Sequence, residues 1–213
     1  EQPMPFGFGE TDGHRDEPVA PETDPAPGWD AIDTALARLF AGQEPFHWGA
    51  DRLPDHEGLY GLSAYRQGDH WFFITYGLTE LFDKVSDDPE VSGFGFELTM
   101  RATGADEPSA WPREMLDRLC SYVFASGNAF EPGDRLENPS AITGGDPPSR
   151  LTCLAFAADP QLEAIQTANG KVAFTTVVGI TPAELMQMKA TSTAAVLEPM
   201  RAANPLLVTD PHR

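Results

Sequence analysis

The chain has 213 residues, 41% of them hydrophobic, and its 33 acidic and 14 basic side chains give a formal net charge of −19 at pH 7. A chain of this length can bury the core of one large domain. The charge repels nucleic acid and anionic membranes, which disfavours both as partners, and it attracts a basic protein or peptide. A role of the acidity in solubility alone is an equally good explanation, because net charge does not define a site.

Residues 1–27 predict a flexible, acidic and Pro-rich tail. They include seven acidic residues, one Arg and six Pro, a composition that buries too little apolar area to offset the entropy of ordering. One domain is then predicted over residues 28–213. It opens with a helix in which Ile32, Leu36 and Phe40 recur at helical spacing.

Three strands are predicted next, over residues 58–66, 70–78 and 93–101. The third contains SGFGFELTM, whose two glycines partly match a phosphate-binding loop. These glycines lead into a strand pattern rather than a helix, and the third glycine of the dinucleotide-binding fingerprint is missing. We therefore interpret the segment as a buried strand whose glycines allow a bulge or a close approach.

A second helix is predicted to begin at WPREML and to end near Ser126-Gly127-Asn128. Residues 131–150 then form a long loop rich in Pro, Gly and Asp. Loops of this length are either functional or mobile.

The last third of the chain predicts further strands and two helices. Asn169-Gly170 predicts a tight antiparallel hairpin, and Thr181-Pro-Ala-Glu184 is a capping box that starts a helix. The other predicted elements are a strand over 151–157, a helix over 194–202 and a final strand at LLVTD. Because strands outnumber helices, we expect an α+β fold with a mixed, largely antiparallel sheet flanked by helices.

Membrane and redox signals point to a cytoplasmic protein. No apolar run approaches the roughly 20 residues of a membrane span, and the chain does not open with a basic, apolar signal segment. Cys120 and Cys153 lie in apolar surroundings without a CxxC spacing. We expect buried thiols here rather than a disulfide.

No catalytic or metal-binding motif stands out. Three histidines were considered as metal ligands, and none has metal-ligand spacing: His47, His56 and His70. We interpret His70 as a packing residue. Ser63 lacks the second glycine of a nucleophile elbow. We therefore expect no enzyme activity, no metal and no cofactor.

Four segments resemble the Suppressor of fused family. They are PGWDAID (27–33), HWFFITYGLTELFDK (70–84), SGFGFELTMR with the downstream WPREMLDRLCSYVFASGNAFEPGD (92–134), and FAADPQLEAIQTANGKVAFTTVVGITPAEL (156–185). The closing LLVTD fits as well, so the resemblance covers nearly everything after the tail. The pairing of YGLTEL with SGFGFEL makes it specific.

The resemblance implies a non-enzymatic α/β sandwich that binds protein. Animal members of the family clamp a short segment of Gli-type transcription factors between this domain and a second one, and the bound segment adds a strand. This sequence stops at Arg213, about where the first domain would end, and we therefore do not expect the Gli partner to transfer to it. For bacterial members, an immunity role has been proposed in which the domain neutralises a cognate toxin.

The resemblance also implies candidate partner-binding residues. Asp159 aligns with an acidic position at the partner groove, and Gln161 stands at the head of a strand that can accept an added one, although Asp-Pro is also a common turn. Tyr76, Glu80 and Glu97 belong to the family signatures. We expect Tyr76 in the core and the two carboxylates facing a basic partner.

Three hypotheses follow. The first is a protein-binding domain that recognises a basic protein or peptide, such as a toxin, through an acidic groove or an exposed sheet edge. The second is an enzyme with a small-molecule site near the 131–150 loop, and the third is a scaffold that oligomerises. The oligomeric state stays open.

Overall fold

The structure, a computed structural model, describes residues 25–49 and 58–213, and this part of the chain folds into four helices and eight strands. The helices are α1 (Pro27–Ala37), α2 (Ala110–Ser126), α3 (Pro182–Ala190) and α4 (Thr193–Ala203). The strands are β1 (Phe46–Gly49), β2 (Gly61–Gln67), β3 (His70–Tyr76), β4 (Val91–Thr103), β5 (Arg135–Glu137), β6 (Cys153–Ala158), β7 (Ile165–Thr167) and β8 (Gly170–Ile180).

All eight strands form one sheet in the order β1-β2-β3-β4-β8-β6-β5, with β7 paired to β8 beyond the end of β6. Every pairing is antiparallel except that of β4 with β8, which is parallel. The mixed, largely antiparallel sheet with flanking helices confirms the predicted fold class.

The core lies on both faces of the sheet. Side chains alternate between the two faces of each strand, so Met100 and Val177 pack on one face with α2, which we call the back face. The opposite face, called the front face, is covered by α1 over β2 and β3 and by α3 and α4 over β6 and the end of β8. The two helical covers on the front face belong to separate apolar clusters, and polar strand residues lie between them.

The SGFGFELTM segment forms most of β4, which confirms the strand interpretation. Its register with β8 shifts between Val91 and Phe96, where a bulge interrupts the pairing. Gly93 has a φ of 55°, and a Cβ there would lie 2.7 Å from the Leu78 carbonyl oxygen. The glycine therefore allows the chain after β3 to approach β4 closely.

Local signals set the helix ends as predicted. Thr181 and Glu184 form the capping box that begins α3, and α2 ends at Gly127, which adopts the left-handed conformation with a φ of 73°. The hairpin prediction is confirmed as well, because Thr167 pairs with Gly170. Its first strand, β7, begins at Ile165, so the expectation that Gln161 stands at the head of this strand is wrong, and Gln161 lies in the loop before it.

Two short strands were not predicted. The four residues of β1 are too few to show an alternation, and β5 lies inside the predicted 131–150 loop. Because Arg-Leu-Glu has two charged residues in three, β5 lacks the apolar enrichment that marks a strand in sequence.

The predicted final strand at LLVTD is wrong in part. Leu207 has a φ of 53°, and its N–H donates to the Asn204 carbonyl in a turn. The left-handed residue interrupts the extended backbone. The segment contributes a single bridge, in which Thr209 pairs with Ala102.

Both cysteines are buried free thiols, as predicted. No helix in the described ranges has the length and apolar character needed to cross a membrane. The predicted tail, residues 1–27, lies outside the described residues except for its last three.

Candidate partner-binding site

A buried ion pair lies on the front face between the two helical covers. The Arg101 guanidinium, from β4, donates from Nη1 to Asp159 Oδ2 at 2.8 Å and from Nη2 to Asp159 Oδ1 at 3.1 Å. Both side chains are fully buried. The hydroxyl of Thr99 donates to the same carboxylate at 2.6 Å, and the Phe72 ring lies 4.7 Å from the guanidinium carbon. This geometry combines a bidentate pair with a cation–π contact.

Asp159 holds the loop that follows β6. Its Oδ1 accepts hydrogen bonds from the backbone N–H groups of Gln161 and Leu162, each at 2.9 Å. Burial acts to raise the pKa of Asp159, but the hydrogen bonds and charge of Arg101 outweigh it and lower the pKa below its ordinary value. Asp159 is therefore ionised at neutral pH and acts as an anchor inside the loop.

A relay of amide side chains connects Arg101 to the edge of the domain. Arg101 Nη2 and Gln67 Nε2 both donate to Gln161 Oε1, each at 3.0 Å. Because arginine can only donate, it fixes the orientation of the Gln161 amide, which in turn fixes that of Gln67. Gln67 Oε1 then accepts from His70 Nε2 at 3.1 Å. His70 is thus a hydrogen-bonded packing residue, as predicted, and Gln161 is held in one orientation.

A groove runs between α1 and β7, beyond the anchored loop. Its volume is about 380 Å³ and it is lined by Asp30, Ala31, Thr34, Ala35, Arg38, Ile165 and Gln166. The N–H of Lys171 donates to the Glu90 carbonyl on the β4 side, so Lys171 exchanges no hydrogen bonds with its cross-strand partner Gln166. The polar backbone groups of Gln166 therefore point away from β8, toward the outer edge of β7.

Glu97 lies inside the domain, contrary to the expectation that it faces a partner. Its side chain has no exposed area. It accepts from the Thr75 hydroxyl at 2.7 Å, the Gly77 N–H at 2.9 Å and the Thr79 hydroxyl at 2.6 Å. Burial raises its pKa, which these donors offset only in part. The carboxylate is directed inward because it pairs the donors of the chain that leaves β3.

Glu80 also accepts hydrogen bonds from the segment between β3 and β4. It accepts from Lys84 Nζ at 2.8 Å, from the Val85 N–H at 2.7 Å and from the Gly93 N–H at 3.1 Å, and the Ser86 N–H donates to it too. Burial would raise the pKa of Glu80, but Lys84 and the backbone donors lower it to about 2. A contact of Glu80 with a partner stays a prediction, and its carboxylate is already surrounded by internal donors.

The two signatures YGLTEL and SGFGFEL form one structural unit through these contacts. Glu97, from the second signature, binds Gly77 and Thr79 of the first, and Glu80, from the first, binds Gly93 of the second. Tyr76 is 1% exposed and stacks on Trp29 at 4.6 Å, so it belongs to the core as predicted.

The described residues give no support to the enzyme hypothesis. His47 Nδ1 lies 2.9 Å from Ser63 Oγ, but Ser63 is 2% exposed and its hydroxyl cannot meet a substrate. A cavity of about 440 Å³ adjoins residues 133–137. Among its charged lining residues, Glu137 and Lys189 lie 3.4 Å apart and are both more than half exposed, as in an ordinary surface ion pair. No group of three potential metal ligands occurs in the described ranges.

Sequence reasoning missed Arg101 and Thr99 although β4 carries a signal for them. Polar residues alternate there with apolar ones: Glu97, Thr99 and Arg101 against Phe96, Leu98 and Met100. On a central strand covered on both faces, such a polar row requires partners from elsewhere in the chain.

Known proteins share both the sequence and the fold. A model of the Suppressor of fused protein (SUFU) family matches residues 55–213. The human Suppressor of fused homolog is 34% identical over an alignment of 197 residues, and the match covers 84% of this chain and 38% of the human protein. The chain thus spans well under half of that relative's length.

Solved structures of Suppressor of fused proteins have a similar fold. A chain of the Sufu–Fu complex crystal structure superposes with a TM-score of 0.82 at 28% identity, covering 89% of this chain and 92% of that one. A SUFU homolog from Neisseria gonorrhoeae has a TM-score of 0.59 at 14% identity, with 83% and 90% covered, which shows a shared fold alone. From the family match and the human relative, we conclude that this chain belongs to the Suppressor of fused family.

Proposed function

We propose that the chain is a non-enzymatic protein-binding domain that holds an extended segment of a basic partner in the groove between α1 and β7. The observation that carries this proposal is the anchored loop at the groove. The Arg101–Asp159 pair holds the loop, and Gln166 directs its backbone groups toward the outer edge of β7, which pairs with β8 alone among the described strands. An extended segment that pairs with such an edge gains main-chain hydrogen bonds, and neighbouring side chains select its sequence.

Charge supports a basic partner. Two acidic residues lie at the groove: Asp30 in its lining and the exposed Glu163 in the loop that leads to β7. The lining contains one basic residue, Arg38. Without residues 1–27, the domain still carries a formal charge of −13. Such a field raises the rate of encounter with a basic protein, and added salt weakens it.

The comparisons support protein binding more than any other activity. The Sufu–Fu complex contains a chain that is similar to this one over 92% of that chain's length. That complex concerns the Sufu protein itself, so the partner of the present chain has to be found by experiment.

For the partner class, we propose a basic toxin that the domain neutralises in the cytoplasm. The acidity of the domain supports this class, because a toxin that acts on nucleic acid needs basic surfaces to hold phosphates. The two free thiols suit a reducing compartment. A growth assay tests this finer proposal: co-expression of the chain should rescue cells from a toxin encoded beside its gene, and unchanged killing would contradict it.

Peptide selection tests the groove itself. A displayed library of random peptides is selected on the full chain, and we expect basic peptides whose affinity falls as salt rises. Glu163→Lys should weaken them roughly fivefold, the size of effect expected from reversing one surface charge. Glu198→Lys, at an exposed position of α4, is the matched control. Peptides that bind equally well to Glu163→Lys, or a library that yields none, would contradict the proposal.

A further inference from the structure

The side-chain amide of Gln161 has its oxygen occupied and its nitrogen open to solvent. Arg101 Nη2 and Gln67 Nε2 both donate to its Oε1, each at 3.0 Å, and an amide oxygen has two lone pairs. In the described part of the chain, three buried side-chain atoms lack a hydrogen bond: Arg101 Nε, Thr176 Oγ1 and Arg201 Nε. Gln161 Nε2 donates to none of the described residues and is not one of these buried atoms, so solvent reaches it.

The orientation of this amide is fixed before a partner binds. Arg101 is fully buried and carries donors only, and its bidentate bond to Asp159 holds it in place, at 2.8 and 3.1 Å. Turning the amide over would bring Nε2 against the guanidinium, where two donors meet without an acceptor. The nitrogen therefore points away from Arg101, and a donor that is already oriented loses less entropy on binding.

The main chain of the same loop directs its donors inward. The N–H groups of Gln161 and Leu162 both donate to Asp159 Oδ1, each at 2.9 Å. β7 begins at Ile165, so a segment that follows its outer edge and continues past Ile165 runs beside this loop. In an extended segment, alternate carbonyls face the same side. A carbonyl that faces the loop finds these two N–H groups turned away and needs a side-chain donor instead.

We propose that Gln161 Nε2 donates a hydrogen bond to a main-chain carbonyl of the bound segment and that Arg101 positions the amide for it. This role rests on the proposed function, because the segment is the one held in the groove between α1 and β7. A carbonyl fits better than a carboxylate, since the domain carries a formal charge of −13 without residues 1–27 and repels anions. The bond is the same for every side chain at that position, so Gln161 adds affinity while the groove selects the sequence.

Gln161→Glu removes the donor and keeps the shape of the side chain. The carboxylate still accepts from Arg101 and Gln67, so thermal melting should show a folded chain. Its second oxygen takes the place of Nε2 and meets the carbonyl of the segment as another acceptor. The affinity for peptides selected on the wild type should fall roughly tenfold or more. The added negative charge alone would strengthen the binding of a basic peptide, so general charge predicts a change of the opposite sign.

Gln187→Glu is the matched control. It makes the same chemical change at an exposed position of α3, which covers another part of the front face, over β6 and the end of β8. It should leave the peptide affinity unchanged. A folded Gln161→Glu chain that binds the selected peptides as tightly as the wild type, or more tightly, overturns the proposal.

The wild-type chain gives a second readout that needs no substitution. The side-chain ¹H–¹⁵N resonances of Gln161 should shift when a selected peptide saturates the chain. The shift should shrink when one particular amide of the peptide is replaced by an ester, whose carbonyl is a weaker acceptor. The same ester should lower the affinity for the wild type severalfold and have little further effect on Gln161→Glu, as expected for two groups in contact. Side-chain resonances that do not respond to the peptide overturn the proposal.

The outcomes separate this role from the proposed function. Peptides that are weakened by Glu163→Lys but unaffected by Gln161→Glu would leave the proposed function in place and remove the role of Gln161. A library that yields no peptide, or peptides that bind equally well to Glu163→Lys, would remove both.

Discussion

Two buried carboxylates hold two loops of this domain, and they do so with different partners. Glu97 meets hydroxyls and backbone N–H groups, all neutral, and burial raises its pKa. Asp159 meets a guanidinium in bidentate geometry, and its pKa falls. Neutral donors do not fully offset the cost of burying a charge, whereas an arginine does.

The difference separates a structural loop from a candidate binding loop. Glu97 binds the segment that follows β3 and lies inside the domain, where no partner reaches it. Asp159 holds its charge and its loop at neutral pH beside the groove between α1 and β7. A site that keeps one conformation before binding loses less entropy when a partner binds.

The largest effect should come from removing the arginine. Arg101→Met leaves the Asp159 carboxylate buried without its counter-ion, which should lower the free energy of unfolding by about 3–5 kcal/mol. Urea denaturation at pH 7 measures this loss. The double variant Arg101→Met/Asp159→Asn removes the buried charge and keeps an acceptor for the loop N–H groups, so it should be more stable than Arg101→Met. Equal stability of Arg101→Met and the wild type would contradict the claim that Arg101 stabilises the buried Asp159 carboxylate.

Glu97→Gln should have a smaller effect. The amide places an N–H₂ group among donors, which should cost about 1–3 kcal/mol. Because burial raises the folded-state pKa of Glu97 above its ordinary 4.5, the folded state binds the proton more tightly than the unfolded state. The contribution of Glu97 to stability therefore falls as pH rises from 4.5 through the folded pKa. Urea denaturation from pH 4 to 8 measures the free energy of unfolding of both proteins, and this dependence on pH should be absent from the variant. Parallel pH profiles of the variant and the wild type would contradict the assignment.

Glu80 should show the opposite dependence on pH. Its pKa of about 2 in the folded state lies below the ordinary 4.5, so its stabilisation is present above pH 4.5 and is lost as pH falls toward 2. Glu80→Gln should be destabilised by about 1–2 kcal/mol at pH 7, allowing for partial solvent screening, and by much less at pH 2.5. Thermal melting at both pH values tests this, and an equal loss at both would contradict it.

The smallest effect should come from the relay. Gln67→Ala removes one donor to Gln161 and the acceptor of His70, which should cost about 0.5–1.5 kcal/mol. The Arg101–Asp159 pair stays in place, so selected peptides should bind with affinity reduced severalfold at most. Thermal melting and a peptide titration measure both quantities, and a loss as large as that of Arg101→Met would place the relay at the centre of the site.

Local chemistry made much of the fold predictable. Asn169-Gly170, the capping box at Thr181 and the alternation in β4 each determine the backbone through their immediate neighbours. The Arg101–Asp159 pair joins residues 58 positions apart. It depends on the parallel pairing of β4 with β8, which no local signal indicates.

The candidate site was predictable in part for the same reason. The resemblance selected Asp159 and Gln161, and the structure places both in the anchored loop, although their contact with a partner stays a prediction. Glu97 was expected to face a basic partner because it is one of the two carboxylates in the family signatures, but carboxylates in the interior need donors, which only the fold brings together. One of its four donors comes from Thr75 in β3 and three come from the chain that leaves β3, and that approach depends on tertiary packing.

Amide chemical-shift mapping tests the central claim most directly. A ¹⁵N-labelled chain is titrated with a peptide selected on it, and we expect shifts concentrated in residues 161–167 and in the groove-facing side of α1, with Glu163→Lys reducing them. Shifts centred on another surface, or none in residues 161–167, would contradict the claim that this groove binds the partner.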